Sequence, residues 1–124
     1  MGEAMDNLTP LKSRHLKWIR KQDAISNGTL VLHTVSAGKS FYLVHSVLVL
    51  WPYATGTKWG TLAIRDTNDA FVAHIQALCC ADAEQGRGES QSYPIPLEIP
   101  AGWDITIYAN ACTRTDASIF GWEE

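Results

Sequence analysis

From residue 29 onward, short runs of apolar residues alternate with polar turns along the chain. The runs "TLVLHTV" and "FYLVHSVLVLWP" are separated by the turn "SAGKS". Short runs of this composition, bounded by Gly, Pro, Asn, Asp or Ser, are typical of strands. The pattern predicts a loop over residues 81–92, a turn over residues 112–117, and seven strands over residues 29–35, 41–52, 61–66, 70–78, 96–100, 104–111 and 118–122. Such a series of short strands predicts an all-β fold, either an antiparallel β-sandwich or a barrel.

The alternation of apolar and polar residues predicts the direction in which the side chains point. In the run over residues 104–111, Ile105 and Ile107 point to one side and Tyr108 to the other. The run over residues 41–52 is apolar on both faces, and such a strand is buried on both faces. We expect the second sheet to cover one face, and the N-terminal residues or another subunit to cover the other. The candidate subunit interface on this strand consists of Tyr42, Val44, Leu48 and Leu50.

Residues 1–28 form a basic arm ahead of the predicted β-sandwich domain. Thr9 is a favourable N-cap and Pro10 a favourable first helical residue, and the apolar residues around them recur at spacings of three and four. The pattern predicts a helix over residues 9–22. Residues 1–21 carry a net charge of +3, and the rest of the chain carries −6.

A basic arm on an acidic body indicates an acidic partner, such as nucleic acid, a membrane surface or an acidic protein surface. A helix that reads a DNA groove usually belongs to a helical domain, whereas this body is β-rich, so we do not expect nucleic acid. No apolar run approaches the ~18 residues that cross a bilayer, and no signal-peptide pattern occurs, so we expect no membrane contact. The candidate partner-binding residues of the arm are Lys12, Arg14, Lys17, Trp18, Arg20 and Lys21.

The chain has few of the residue patterns that carry enzyme chemistry. It has no Gly-x-Ser-x-Gly motif, and "GRGES" lacks the Gly-Lys-Ser/Thr ending of a phosphate-binding loop. Its three cysteines form no Cys-x-x-Cys pair, so we expect reduced thiols rather than a zinc site. His33, His45 and His74 lie in different predicted strands, and they would hold a metal ion only if the fold brought them together. We expect a protein that is not an enzyme and that binds no cofactor or metal.

The stretch "PLEIPAGWDITIYAN" (residues 96–110) resembles the second conserved motif of the cupin family. Pro100 and Gly102 match the turn of that motif, but Ile105 stands where its metal-binding histidine belongs. The His-x-His pair of the first cupin motif does not occur in the chain. The resemblance implies a β-corner without its metal ligands, and a divergent cupin-like metalloenzyme is the second alternative function.

Three stretches also resemble small jelly-roll structural proteins of phages and other viruses. They are the strand entry "VSAGKSFYL", the later corner "PLEIPAGWDITI" and the last strand "SIFGWEE". The resemblance covers residues 29–124 and implies a jelly-roll-like antiparallel β-sandwich with an N-terminal helical or extended arm. Proteins of this kind serve as capsid decoration (cement) proteins and as collar, tail or fibre components. They are often trimers, and their arms often reach onto neighbouring subunits.

This resemblance leads to the main functional expectation. We expect a virion structural protein, assembled in the host cytoplasm, that decorates and stabilises a capsid. Its partners would be copies of itself, in a homo-oligomer such as a trimer, and the major capsid protein or another virion protein. The domain over residues 29–124 would form the oligomer, and the arm over residues 1–28 would bind the shell.

The tryptophans suggest an alternative function. Five tryptophans are many for 124 residues, and an exposed tryptophan on a β-sandwich can stack against a sugar ring. Tryptophan is also enriched in cores and interfaces, which suits Trp51 and Trp103 at their predicted strand ends. Trp59, in "ATGTKWG", is the best candidate for an exposed ring. The alternative is a carbohydrate- or receptor-binding module of a tail or fibre, with Tyr53 and Trp59 in a ligand-facing loop.

Overall fold

The computed structural model describes residues 16–52, 58–80 and 86–124, and these residues form six antiparallel β-strands without a helix. The strands are β1 (Lys17–Thr34), β2 (Phe41–Pro52), β3 (Lys58–Arg65), β4 (Phe71–Cys80), β5 (Arg87–Ile99) and β6 (Asp104–Glu123). The predicted all-β class and antiparallel pairing are confirmed.

The longest strand, β6, has 20 residues and organises the fold. Along one edge it pairs with β1 over nearly its whole length. Along the other edge it pairs with β3 over residues 104–109 and with β2 over residues 113–123. Since its neighbour on this edge changes, β6 passes from one sheet into the other. β1 remains paired with β6 and therefore also passes between the two sheets.

The two sheets have the strand order of a jelly roll. The first sheet runs from residues 17–26 of β1 through the second half of β6 to β2 and β5. The second sheet runs from residues 28–34 of β1 through the first half of β6 to β3 and β4. Eight strand segments in two four-stranded sheets, alternating in this way, form a jelly roll. The predicted jelly-roll-like β-sandwich is therefore confirmed.

The corner in β1 lies at Asn27 and Gly28, where the register against β6 shifts. Asn27 has a φ of 64° and Gly28 a φ of 135°. Asparagine tolerates positive φ better than most residues, and glycine adopts it without strain. Residue 28, where the sequence analysis ends the arm, thus lies inside β1 at the point where the strand changes sheets.

The predicted helix over residues 9–22 is wrong for residues 17–22, which are strand. They pair with residues 118–123 at the end of β6, whose backbone N–H and C=O groups need partners on that edge. A thin amphipathic stripe gives an isolated helix little stability, so the strand pairing prevails. Residues 9–15 lie outside the described residues.

Two predicted interruptions are also strand. Residues 87–92 of the predicted loop belong to β5, and the predicted turn over residues 112–117 is continuous with β6. β5 lies at the edge of the first sheet, where most of its side chains are exposed and show no apolar alternation. The turn-like residues of β6 stay extended because β1 and β2 pair with its two edges there. Six strands therefore replace the seven predicted ones.

The inner faces of both sheets form the core. Ile105 and Ile107 are fully buried, as their predicted inward direction requires. A polar link crosses the core between the sheets, because the hydroxyl of Ser46 donates to Oε1 of Gln76 at 2.6 Å. Nε2 of Gln76 in turn donates to the backbone carbonyl of Glu89 at 3.0 Å, so both ends of this amide are hydrogen-bonded.

A β-bulge decides which residues of β2 lie in the core. The register of β2 against both neighbours shifts between Leu43 and His45, so Val44 is an extra residue. One extra residue exchanges the two faces of a strand. Leu48 and Leu50 therefore point inward, like Leu43, and are fully buried. The predicted place of these two leucines in a subunit interface is wrong.

A buried hydrogen-bonded pair ties the end of β6 to β1. Nε2 of His33 lies 2.8 Å from Oε2 of Glu123, and the backbone N–H of Ser36 donates to the same oxygen at 3.2 Å. Burial lowers the pKa of His33 more than Glu123 raises it, and Lys21 and Lys17 lower it further. Burial raises the pKa of Glu123, but the hydrogen bonds from Ser36 and His33 leave it below its ordinary value. At neutral pH a neutral His33 therefore donates to a carboxylate.

β6 passes so close to β2 at Gly121 that no side chain fits. A Cβ there would overlap the carbonyl oxygen of Tyr42 and lie 2.8 Å from Cζ of Phe41. We expect Gly121→Ala to lower the free energy of unfolding by roughly 1–3 kcal/mol, the usual cost of overpacking, in urea denaturation. Gly88→Ala is the control, since its Cβ would meet Val49 at an ordinary 3.6 Å. Equal losses in both variants would contradict the close approach.

The pair of His33 and Glu123 predicts how stability depends on pH. Below pH ~6.5 the unfolded chain takes up a proton on His33, whereas the lowered pKa of the folded protein resists it. The free energy of unfolding should therefore fall between about pH 7.5 and about pH 5.5, and fall less in His33→Gln. His74→Gln, at an exposed histidine, is the control. Because the folded pKa of Glu123 is lowered, its contribution is lost only in stronger acid. An equal fall in His33→Gln and wild type would show that His33 is not the group responsible.

Candidate functional site

The outer face of the first sheet carries four aromatic residues that we call the aromatic ladder: Trp18, Tyr42, Phe120 and Trp122. Trp18, Trp122 and Tyr42 lie in register across three strands. The rings of Trp18 and Phe120 stack with centroids 5.2 Å apart and planes 13° apart. Those of Tyr42 and Trp122 stack at 5.2 Å and 18°. Trp18 and Trp122 meet at 5.4 Å and 60°, which joins the two stacks.

The aromatic ladder stabilises the sheet and also presents a rigid apolar surface. Aromatic pairs contribute about 0.5–1.5 kcal/mol each beyond the area they bury. Trp18 nevertheless remains 45% exposed. The guanidinium carbon of Arg20 lies 5.2 Å from the ring centroid of Phe120, a cation–π geometry. The four rings restrain one another, so this surface needs little ordering when a partner covers it.

Beside the aromatic ladder, the outer face presents two valines of β2 among polar residues of β1 and β6. Val47 and Val49 point outward after the bulge in β2 and are half-buried, and Trp51 at the end of the strand is 50% exposed. A cavity of about 150 Å³ opens between β1, β6 and β2 and is lined by Gln22, Val47, Val49, Asp116, Ala117 and Ser118. The face is therefore apolar along the length of β2, with a depression beside raised aromatic rings.

Two of the four residues predicted for a subunit interface lie on this outer face. Tyr42 belongs to the aromatic ladder, and Val44 sits at the bulge; both are half-buried. Their contact with another subunit stays a prediction. Val47 and Val49 occupy the outward positions that strict alternation assigns to the two leucines. The sequence indicates that β2 is apolar on both sides. It does not indicate the position at which an extra residue interrupts the alternation.

The structure divides the predicted arm residues between two sides of β1. Trp18 and Arg20 lie on the outer face of the first sheet, beside Phe120. Lys17 and Lys21 alternate with them, and their charges act on His33. All four of these arm side chains are exposed. Lys12 and Arg14 lie outside the described residues.

A larger cavity, of about 390 Å³, lies on the outer face of the second sheet. Trp59 contributes to its wall and is 43% exposed, as the prediction of an exposed ring requires. The residue lies on β3, however, so its predicted place in a loop is wrong. Tyr53 lies outside the described residues. The structure thus places Trp59 at a concave site formed by strands.

An arginine beside this cavity is held by two carboxylates. Nε and Nη2 of Arg65 donate to the two oxygens of Asp104, each at 3.0 Å. Oδ1 of Asp69 lies 3.5 Å from the same guanidinium. The hydrogen bonds with Asp104 raise the pKa of Arg65 above its ordinary value. A planar guanidinium that binds a carboxylate through two bonds is fixed in direction, so the charge stays at the cavity wall.

The three strand histidines lie in separate surroundings. His33 belongs to the buried pair with Glu123, Nδ1 of His45 lies 2.9 Å from the hydroxyl of Ser92, and the edge of His74 meets a phenylalanine. Within residues 16–52, 58–80 and 86–124, no three His, Cys, Asp or Glu residues gather as a metal site. In the same ranges no helix is long and apolar enough to cross a membrane.

The aromatic ladder could not be predicted from the sequence, because its members come from three strands that are distant in sequence. One signal was available, since Phe120 and Trp122 are two residues apart and must point to the same side of a strand. The pairing of Trp18 with that strand could not be seen, because the amphipathic stripe assigned it to a helix. Cross-strand register, rather than composition, brings the rings together.

No family model matches the chain, and no curated protein matches its sequence. Solved structures do match it. Eiger TNF from S. frugiperda superposes with a TM-score of 0.51 at 9% identity, over 87% of this chain and 93% of that one. A chain of the cyanophage Pam1 capsid gives 0.48 at 12% identity, over 87% and 84%. Particles derived from infectious bursal virus give 0.39 at 13% identity, over 87% and 32%. Chains of viral particles are thus among the structures similar to this one, and the likeness is one of fold alone.

Proposed function

We propose that this protein is a structural component of a virion, and specifically a capsid decoration (cement) protein without enzymatic activity. The proposal rests on the outer face of the first sheet, which presents the aromatic ladder and the outward valines of β2 among polar residues such as Gln22, Asp116 and Ser118. The resemblance of residues 29–124 to jelly-roll structural proteins of viruses supports the same role. In this proposal the protein resides in the virion after assembly in the host cytoplasm.

The composition of this face is unusual for a sheet that meets water. Antiparallel sheets with one solvated face usually carry polar residues there, and monomers rarely expose apolar patches of more than a few hundred Å². Among the six described strands, none packs onto this face. Its outward apolar residues are Trp18, Tyr42, Val44, Val47, Val49, Trp51, Phe120 and Trp122. A partner that removes this surface from water would gain most of its binding energy from apolar burial.

A second copy of the same chain is the partner that fits this face. The face carries both raised rings and a cavity of about 150 Å³, so one copy offers projections and a depression to another, as a symmetric interface requires. Four strands at ~4.8 Å spacing and ten residues at ~3.3 Å give a flat area of roughly 600 Å². That approaches the ~800 Å² per partner of a standard interface. A pair of copies therefore needs little beyond this face, and a trimer would use the raised rings and the depression as two complementary patches.

The basic residues supply the contact with the shell in this proposal. Arg20 lies at the margin of the outer face, and Lys17 and Lys21 are exposed on the opposite side of β1. Together with the residues that precede β1, they would bind an acidic surface of the major capsid protein or another virion protein. An oligomer that contacts several shell subunits stabilises them by binding the assembled state.

A charged residue in the centre of the outer face tests whether this face mediates self-association. We expect the wild-type chain to be a homo-oligomer in light scattering after gel filtration, and Val49→Lys to be a monomer at the same concentration. A lysine at this position would be buried in the interface, which is costly, and the carboxylate opposite it, that of Asp116, is already paired with Arg114. Val72→Lys is the control, because Val72 is 43% exposed on β4 of the other sheet. A monomeric wild type, or an oligomer that Val49→Lys leaves intact, would contradict self-association through this face.

Shell binding is tested by a truncation that spares the described strands. A chain that begins at residue 16 retains all of β1, so we expect it to fold and to keep the oligomeric mass of the full chain. It should lose most of its co-sedimentation with capsids of the virus that encodes it. Reversing charge in Lys17→Glu with Arg20→Glu should weaken attachment further. Unchanged co-sedimentation of both variants would exclude the basic segment as the shell contact.

A further inference from the structure

The cavity on the outer face of the second sheet has a floor of short side chains. Thr61 lies in register with Tyr108, and Ala63 with Thr106, on the two central strands of that sheet. The short side chains leave a depression of about 390 Å³ between larger neighbours. This volume is within the range of about 300–1,000 Å³ that small-molecule sites occupy. The depression is therefore large enough for a small ligand.

Aromatic rings stand at the two ends of this depression. The ring of Trp59 stacks against that of Tyr108, with centroids 6.3 Å apart and planes 29° apart. The backbone N–H of Trp59 donates to Oδ1 of Asn110 at 2.9 Å, which restrains the residue further. At the other end Phe71 is 61% exposed. Its ring makes a T-shaped contact with that of His74, with centroids 4.9 Å apart. The rings are positioned before any ligand arrives, which reduces the entropy cost of binding.

Polar groups lie between and beside the rings. The hydroxyls of Thr61 and Thr106 can both donate and accept hydrogen bonds. Beside them the single cation of Arg65 faces the carboxylates of Asp104 and Asp69, so this group carries a net negative charge. An anionic ligand would be repelled here. The chemistry selects a neutral ligand with an apolar face and several hydrogen-bonding groups.

We propose that this cavity binds a neutral pyranose sugar, as a terminal residue of a glycan. One face of a pyranose ring consists of C–H groups that pack on the indole of Trp59, and its edge carries hydroxyls for Thr61 and Thr106. Thr61 and Thr106 are 8% and 4% exposed, and a wholly apolar ligand would remove the rest of this surface from water without giving their hydroxyls a partner, which costs free energy. The site lies on the sheet opposite the proposed self-association face, so it does not depend on the proposed virion role.

The test is a titration of the full-length chain with free methyl glycosides, monitored by NMR of the sugar protons. The probes are the glycosides of glucose, galactose, mannose and N-acetylglucosamine, with sialic acid as a charged comparison. We expect at least one neutral glycoside to bind, and to bind at least tenfold more weakly to Trp59→Ala. Trp59→Phe should retain part of the affinity because it keeps a ring. Ile95→Ala is the control, since Ile95 is 86% exposed on β5, outside this cavity and outside the residues proposed for self-association.

Specific outcomes would overturn the proposal. Absence of binding by all four neutral glycosides at ~10 mM, or tighter binding of sialic acid, would exclude a neutral-sugar site. Equal losses in Trp59→Ala and Ile95→Ala, with circular dichroism unchanged, would place binding elsewhere. Thr106→Val removes one hydroxyl from the cavity and should weaken sugar binding several-fold. A site that recognised only an apolar surface would not lose affinity in this variant. The oligomeric mass of Trp59→Ala should stay that of wild type, which separates this proposal from the proposed self-association.

Discussion

Buried backbone N–H and C=O groups must find hydrogen-bond partners, and β6 meets this requirement on both of its edges. It pairs with β1 on one edge, and with β3 and then β2 on the other. The two sheets are therefore joined through β6 and β1 rather than by packing alone. Gly121 sits where this strand approaches the backbone of β2 too closely for a side chain. The end of β6 is fixed in turn by Glu123, which accepts hydrogen bonds from His33 and Ser36.

This arrangement assigns the inner faces to stability and leaves the outer faces for other tasks. The bulge at Val44 is the clearest example, because it turns Leu48 and Leu50 into the core. The same shift turns Val47 and Val49 outward, beside the aromatic ladder. Without the bulge, both leucines would face outward and both valines inward. One inserted residue thus decides both what fills the core and what the first sheet presents to a partner.

The sequence predicted the all-β class, the jelly-roll-like sandwich and the inward direction of Ile105, because local alternation and turn residues carry that information. It also singled out Trp59 as an exposed ring. It failed over residues 17–22, which pair with β6 on one edge, and over residues 112–117, where β6 is paired on both edges. In both places strand pairing overrides the local preference for a helix or a turn. It could not show the register shift at Val44, since a bulge leaves composition unchanged. The aromatic ladder depends on register between distant strands, which alternation within one strand does not reveal.

The two outer faces differ in what they can bury at low cost. Rings and valines on the first sheet lose only water when another protein covers them, so a broad, flat partner suits them. On the second sheet, Thr61, Thr106 and the ion pair of Arg65 lie in a depression that a flat protein surface would not enter. Covering what remains exposed of these polar groups without hydrogen bonds would cost free energy. A small ligand that carries its own hydroxyls avoids this cost, and therefore this face favours a ligand where the other favours a subunit.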